Sequence, residues 1–132
     1  MSEEREIRSA LRANNSFYAA LSQGDYPAME AVWSASESIL CNHPGAPTLR
    51  GREAVMASWQ AILAEPPAVE ASEAQVVVIR GLAFVTCLEA VEDVCLCATN
   101  VFVWEDGRWR MVHHQAGQLA STPASRGGQP LH

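Results

Sequence analysis

An α+β fold is predicted by three observations. Helical apolar stripes fill the first half of the chain. Strand-like runs rich in Val, Phe, Thr and Trp follow from Gln75 onward. Short turn signals at Gly81, Glu92-Asp93 and Asp106-Gly107 divide those runs into a four-strand meander. Three helices, with one strand among them, therefore precede an antiparallel sheet, a layered arrangement in which the helices cover one sheet face. At 132 residues and 48% hydrophobic content the chain suits one domain with a substantial core, placed over residues 1–120.

Residues 2–23 carry Ile7, Leu11, Tyr18 and Leu21 on one stripe, widened by Ala10 and Phe17, and Glu3 and Glu4 suit the positive end of the helix dipole. Gly24 is placed to stop this helix, and Asp25 to cap a second one bearing Met29, Val32 and Trp33. Ser38–Asn42 is a short strand closed by His43-Pro44-Gly45. The third helix, Gly51–Leu63, aligns Val55, Trp59, Ile62 and Leu63, and Pro66-Pro67 ends it. Strands are expected over Gln75–Arg80, Leu82–Val91, Val94–Glu105 and Arg108–Ala116. From Ser121 to the end, the Pro-, Ser-, Gly- and Arg-rich tail (121–132) is expected to be disordered.

The final hairpin fixes a register by counting outward from Asp106-Gly107, a pair suited to a type I′ turn. Trp104 then faces Trp109, Phe102 faces Met111, and Asn100 faces His113. One face carries Phe102, Met111, Asn100, His113 and Gln115; the other carries Val101, Val103, Val112 and His114. A second two-residue turn at Glu92-Asp93 pairs Val91 with Val94 and brings Cys87 and Glu89 to the face of Asn100. Val94–Val103 is apolar on both faces, which three short helices cannot cover. A homodimer through the outer face, with Val101, Val112 and His114, is the expected solution.

Nine Arg, no Lys and fifteen Asp plus Glu give a formal charge of −6, which argues against nucleic acid and anionic membrane surfaces. The opening Met-Ser-Glu-Glu-Arg-Glu is too charged for a signal peptide, and no apolar run suits a spanning helix, so a cytoplasmic location is expected. The four Cys follow no zinc or redox spacing and read as small buried hydrophobes; no metal site is expected.

The string Trp33…Ile39-Leu-Cys-Asn-His-Pro-Gly45…Leu49-Arg-Gly-Arg-Glu-Ala-Val-Met-Ala-Ser-Trp59, followed by Asn100-Val-Phe-Val and Gly107-Arg-Trp-Arg-Met-Val-His-His-Gln, resembles the SnoaL-like branch of the nuclear transport factor 2-like superfamily over residues 13–117. The resemblance implies a cone, with a curved sheet wrapped around the N-terminal helices, a pocket at its open end and dimerisation through the sheet. It leaves function open, because the superfamily spans isomerases, cyclases, dehydratases, transport factors and a kinase association domain. The Asp and Tyr constellation of ketosteroid isomerase does not map onto this chain, whose Tyr18 and Tyr26 lie in the helical part.

Two readings follow. In the first, a cofactor-free pocket binds a small apolar or aromatic molecule and performs isomerisation, dehydration or cyclisation by acid–base chemistry. His113 would transfer the proton with Glu89 assisting, Asn100 and Gln115 would polarise a carbonyl, and Trp33, Trp59 and His43 would contact the ligand. In the second, the same fold is a non-catalytic carrier or association module. His113 also has a plain structural alternative, as a hydrogen-bonded core residue.

Overall fold

The computed structural model describes residues 2–119; the expectation for the tail 121–132 lies outside the described residues. Helix α1 spans Glu3–Gln23, α2 Tyr26–Val32, strand β1 Leu40–Asn42, β2 Leu49–Arg50, α3 Arg52–Leu63, β3 Val69–Ile79, β4 Leu82–Val91, β5 Val94–Glu105 and β6 Arg108–Gln118. One six-stranded sheet has the order β2-β1-β6-β5-β4-β3, and all its pairs are antiparallel except β1 with β6. The three helices and four-strand meander are as expected; β2 is an added short edge strand, and β3 begins six residues earlier than Gln75.

Local chemistry sets the boundaries. Ser2 caps α1 by accepting the Arg5 N–H, and Gly24 closes the helix in the left-handed region at φ 66°. A β-carbon at Gly24 would also meet Pro66 Cγ at 3.0 Å, so glycine serves both conformation and packing. Asp25 Oδ1 accepts the Ala28 N–H and starts α2. Asp106 and Gly107 both have positive φ, 51° and 78°, as a type I′ turn requires. Arg52 donates to the carbonyls of Glu30, Trp33 and Ser34, tying α3 to the end of α2.

The sheet's inner face and the helices enclose one core. Phe17, Met29, Trp33, Ile39, Val55, Val85, Ala98, Phe102 and Met111 are all essentially inaccessible. Along β4 and β5 burial alternates strictly: Ala83, Val85, Cys87 and Glu89, with Leu96, Ala98, Asn100 and Phe102, point inward. Phe84, Val101 and Val103 point outward, and with Val77 and Ile79 on β3 they form an apolar outer surface. Cys41 and Cys87 are buried as expected of small hydrophobes, whereas Cys97 sits on the exposed outer side.

The expected register of β4 with β5 is the observed one, including Val91 with Val94 and Glu89 with Leu96. The final hairpin agrees only as far as Phe102 with Met111. There β6 carries a bulge, so Val101 pairs with His113 and Asn100 with His114. One extra residue reverses the alternation from this point. His114 and Ala116 therefore face the core, while His113 and Gln115 turn away from it, the opposite of the sequence-based expectation.

Candidate functional site

The open end of the cone contains a cavity of about 640 Å³ between Leu21 of α1, Trp59 and Ile62 of α3, the His43–Gly45 turn, and the inner face of β3–β6. Its walls are mainly apolar, and the polar groups facing it are few: His43, Glu89, His114, Glu92 and Gln118. Behind them lies a buried hydrogen-bond chain that runs across the sheet into α1.

The chain has a direction. Asn100 Nδ2 donates to Asn14 Oδ1 at 2.8 Å and to Tyr18 Oη at 3.1 Å, so Asn100 Oδ1 is free to accept. It receives His114 Nδ1–H at 2.6 Å, which fixes the tautomer and leaves Nε2 with a lone pair. Tyr18 Oη in turn donates to Glu89 Oε2 at 2.5 Å, and Cys87 Sγ lies 3.2 Å from the same hydroxyl. The series from His114 through Asn100 and Tyr18 therefore ends on the Glu89 carboxylate, with Asn14 accepting on a side branch. Asn14, Tyr18, Glu89, Asn100 and His114 are all buried, and such a chain is tolerated inside a core only because its members satisfy one another.

Burial sets the electrostatics. It pushes the His114 imidazole down to about 3, and the neighbouring His43 and His113 rings add to the effect. His114 is thus neutral at physiological pH. Burial raises the Glu89 carboxyl above the usual carboxylate range, opposed by the bond from Tyr18. The Tyr18 phenol is raised by burial first, then by Glu89 and Cys87, and stays protonated as a donor. His43 is lowered by burial. Ser58 Oγ donates to the Val55 carbonyl at 2.6 Å and so accepts His43 Nε2–H at 2.9 Å. Trp59 packs between the two rings, with centroids 4.7 Å from His43 and 5.8 Å from His114. Among the described residues its indole Nε1–H has no acceptor, and the atom itself is buried although the residue lines the cavity.

Of the residues singled out from the sequence, Glu89, Trp59 and His43 line this cavity. Asn100 stands behind the wall, its side chain occupied by Asn14, Tyr18 and His114. Trp33 is fully buried against Trp59, with its centroid at 6.5 Å, and is not among the cavity-lining residues. His113 pairs with Leu40 of β1, its Nδ1 lies 3.2 Å from the Leu40 carbonyl, and Gln115 is exposed. The shared face expected for Asn100, His113 and Gln115 is thus corrected by the bulge, and His114, expected at an outer interface, is the histidine inside. Tyr18 and Asn14 were missed as polar members. The available signal was an asparagine set within the apolar stripe of Ala10, Phe17 and Leu21. Among the described residues, no three His, Cys, Asp or Glu side chains gather as a metal site would need.

A curved sheet closing over a long helix, with a mostly apolar end cavity, defines the cone class of α+β domains. The chain belongs to the SnoaL-like domain family, whose profile matches residues 10–121. It is similar, at TM-score 0.83 and 26% identity, to a proposed dehydratase of the NTF2-like family from Streptomyces avermitilis, over 91% of this chain and all of that one. It is also similar to a proposed calcium/calmodulin-dependent protein kinase type II association domain from Thiobacillus denitrificans, at TM-score 0.70 and 30% identity over 81% of this chain and 92% of that one. Among curated proteins, F-box protein SKIP8 of Arabidopsis thaliana is 26% identical over 116 residues, 85% of this chain. The chain spans about half the length of that relative, 50%. No helix among the described residues is long and apolar enough to cross a membrane.

Proposed function

We propose that the cone cavity binds a small apolar or aromatic carbonyl compound and moves a proton on it without a cofactor, in the manner of a dehydratase or isomerase. The observation that carries this reading is Glu89: a carboxyl group 4% exposed, on the cavity wall, raised by burial and held by a phenolic donor. A carboxylate in that setting is a stronger base than one in water and can remove a proton α to a carbonyl. The electron pair moves toward the carbonyl oxygen. Glu89 then returns the proton, to a departing hydroxyl as water leaves or to another carbon in an isomerisation. His114, neutral and with Nε2 unprotonated, accepts a hydrogen bond from a substrate hydroxyl, while Glu89 carries the proton transfer that the sequence assigned to His113. The likeness to a proposed dehydratase supports this reading.

The alternative, a carrier or association module, draws on the likeness to a kinase association domain and on the consumption of Asn100 by internal bonds. A thermal-shift screen against small carbonyl compounds, steroids, aromatic acids and lactones separates the two. A ligand at ~100 times its dissociation constant adds about 2.7 kcal/mol to stability. The expected result is a class of hits that wild type converts and that Glu89→Gln binds without converting. Turnover by Glu89→Gln at the wild-type rate refutes the role of Glu89, and a panel with no hit favours the association module.

A further inference from the structure

We infer that the chain has a second ligand site, for a planar aromatic anion, in the groove between α1, α2 and the β5–β6 turn. This groove encloses about 780 Å³, within the range of small-molecule sites, and shares no lining residue with the cone cavity. Its α1 wall is the stripe Arg5, Ser9, Arg12 and Ser16, spaced four, three and four residues apart and so on one helix face. Arg108 completes a set of three arginines, out of nine in a chain of net charge −6, and among the described residues no Asp or Glu lines the groove.

Among the described residues these arginines have no carboxylate partner. Among the described residues the ion pairs are Arg8 with Glu4 at 3.5 Å and Arg110 with Glu105 at 3.7 Å, and neither involves Arg5, Arg12 or Arg108. Arg108 Nη2 donates to the Ala31 carbonyl at 2.7 Å, which anchors the side chain to α2 and leaves its other N–H groups available. The aromatic part of the site is prepared as well. Trp104 and Trp109 pack edge to face with centroids 5.2 Å apart, and Trp109 Nε1 donates to Ser9 Oγ at 2.8 Å. Trp104 remains 39% exposed and lines the groove. A ring stacked on Trp104 with its carboxylate toward the arginines meets both halves of this wall.

The probe is 2-naphthoate, with uncharged 2-naphthalenemethanol as its twin, titrated calorimetrically into the whole protein. Naphthoate is expected to bind about tenfold more tightly than the alcohol and to weaken in high salt. Arg12→Gln and, separately, Trp104→Ala should each weaken naphthoate at least about fivefold, as losing a charged or stacking partner does. Both positions are exposed, so folding is retained, which circular dichroism checks. Glu89→Gln, in the cone, should leave naphthoate affinity unchanged, so this site stands or falls apart from the proposed reaction. Equal affinity for the two probes, no binding at millimolar naphthoate, or binding abolished by Glu89→Gln but not by Arg12→Gln would each overturn the inference.

Discussion

His114 makes a sharp prediction about acid stability. In the folded protein its imidazole is lowered to about 3 by burial, whereas an unfolded histidine keeps a value near 6.5. The unfolded chain therefore binds a proton below pH 6.5 that the folded chain refuses, so stability is present above that pH and is lost as pH falls toward 3. Integrating from pH 7 to pH 5 gives a loss of about 2 kcal/mol from this residue alone. For a domain of this size that corresponds to about 7 °C in Tm. Glu89 acts with the opposite sign, since a raised carboxyl in the folded state favours folding as pH falls. The comparison must therefore isolate His114. His114→Asn keeps an N–H donor for Asn100 but removes the titrating ring. Its absolute stability will be lower, because Phe17 and Trp59 lose a packed neighbour.

The diagnostic quantity is the change with pH. Calorimetric Tm values at pH 7, 6 and 5 should show wild type losing about 7 °C more than the variant over that range. Parallel curves would mean that His114 titrates as if solvated, and the buried neutral donor would be wrong. Should His114→Asn fail to fold, nitrogen chemical shifts of the wild-type ring decide the same question. They should report Nδ1 protonated and Nε2 bare down to pH 5.

Two further outcomes test the framework around this residue. Asn100→Leu keeps volume but leaves His114 Nδ1–H and Asn14 Oδ1 buried without partners, and should cost about 3 kcal/mol by urea unfolding; a loss below about 1 kcal/mol would show that the chain is not internally satisfied. For the outer face we propose that Phe84, Val101 and Val103 meet a second copy of the chain. Val101→Asp should then convert a dimer to monomer in analytical ultracentrifugation, and a dimer that survives the charge places the contact elsewhere.

Much of this architecture is readable locally. Gly24, Asp25 and Asp106-Gly107 act through backbone conformation and neighbouring N–H groups, so their effects are written in adjacent residues. The register of β4 with β5 propagates from one tight turn without interruption, and counting reaches Glu89 correctly. What counting cannot see is a bulge. No glycine marks the one at Met111-Val112-His113, and the two residues whose faces it exchanges are both histidine, so hydropathy gives no contrast between them.

The correction is nevertheless contained in the next residues. An unbroken ladder would have buried Gln115 and Gly117 and exposed Ala116, whereas the bulge puts Ala116 inside and both neighbours out. An amide side chain and a glycine are poor core material, and alanine is good. The favourable burial of that last stretch is thus a reason to shift register after Phe102–Met111. The same shift selects which imidazole faces the cone. Placing His113 inward would have set its ring, rather than His114, beside Asn100. The chemistry of the cavity and the packing of the strand end are therefore one choice, and because Val112 is the residue the bulge inserts, deleting it should leave an unbroken ladder with His114 still opposite Asn100 and Ala116 still inside.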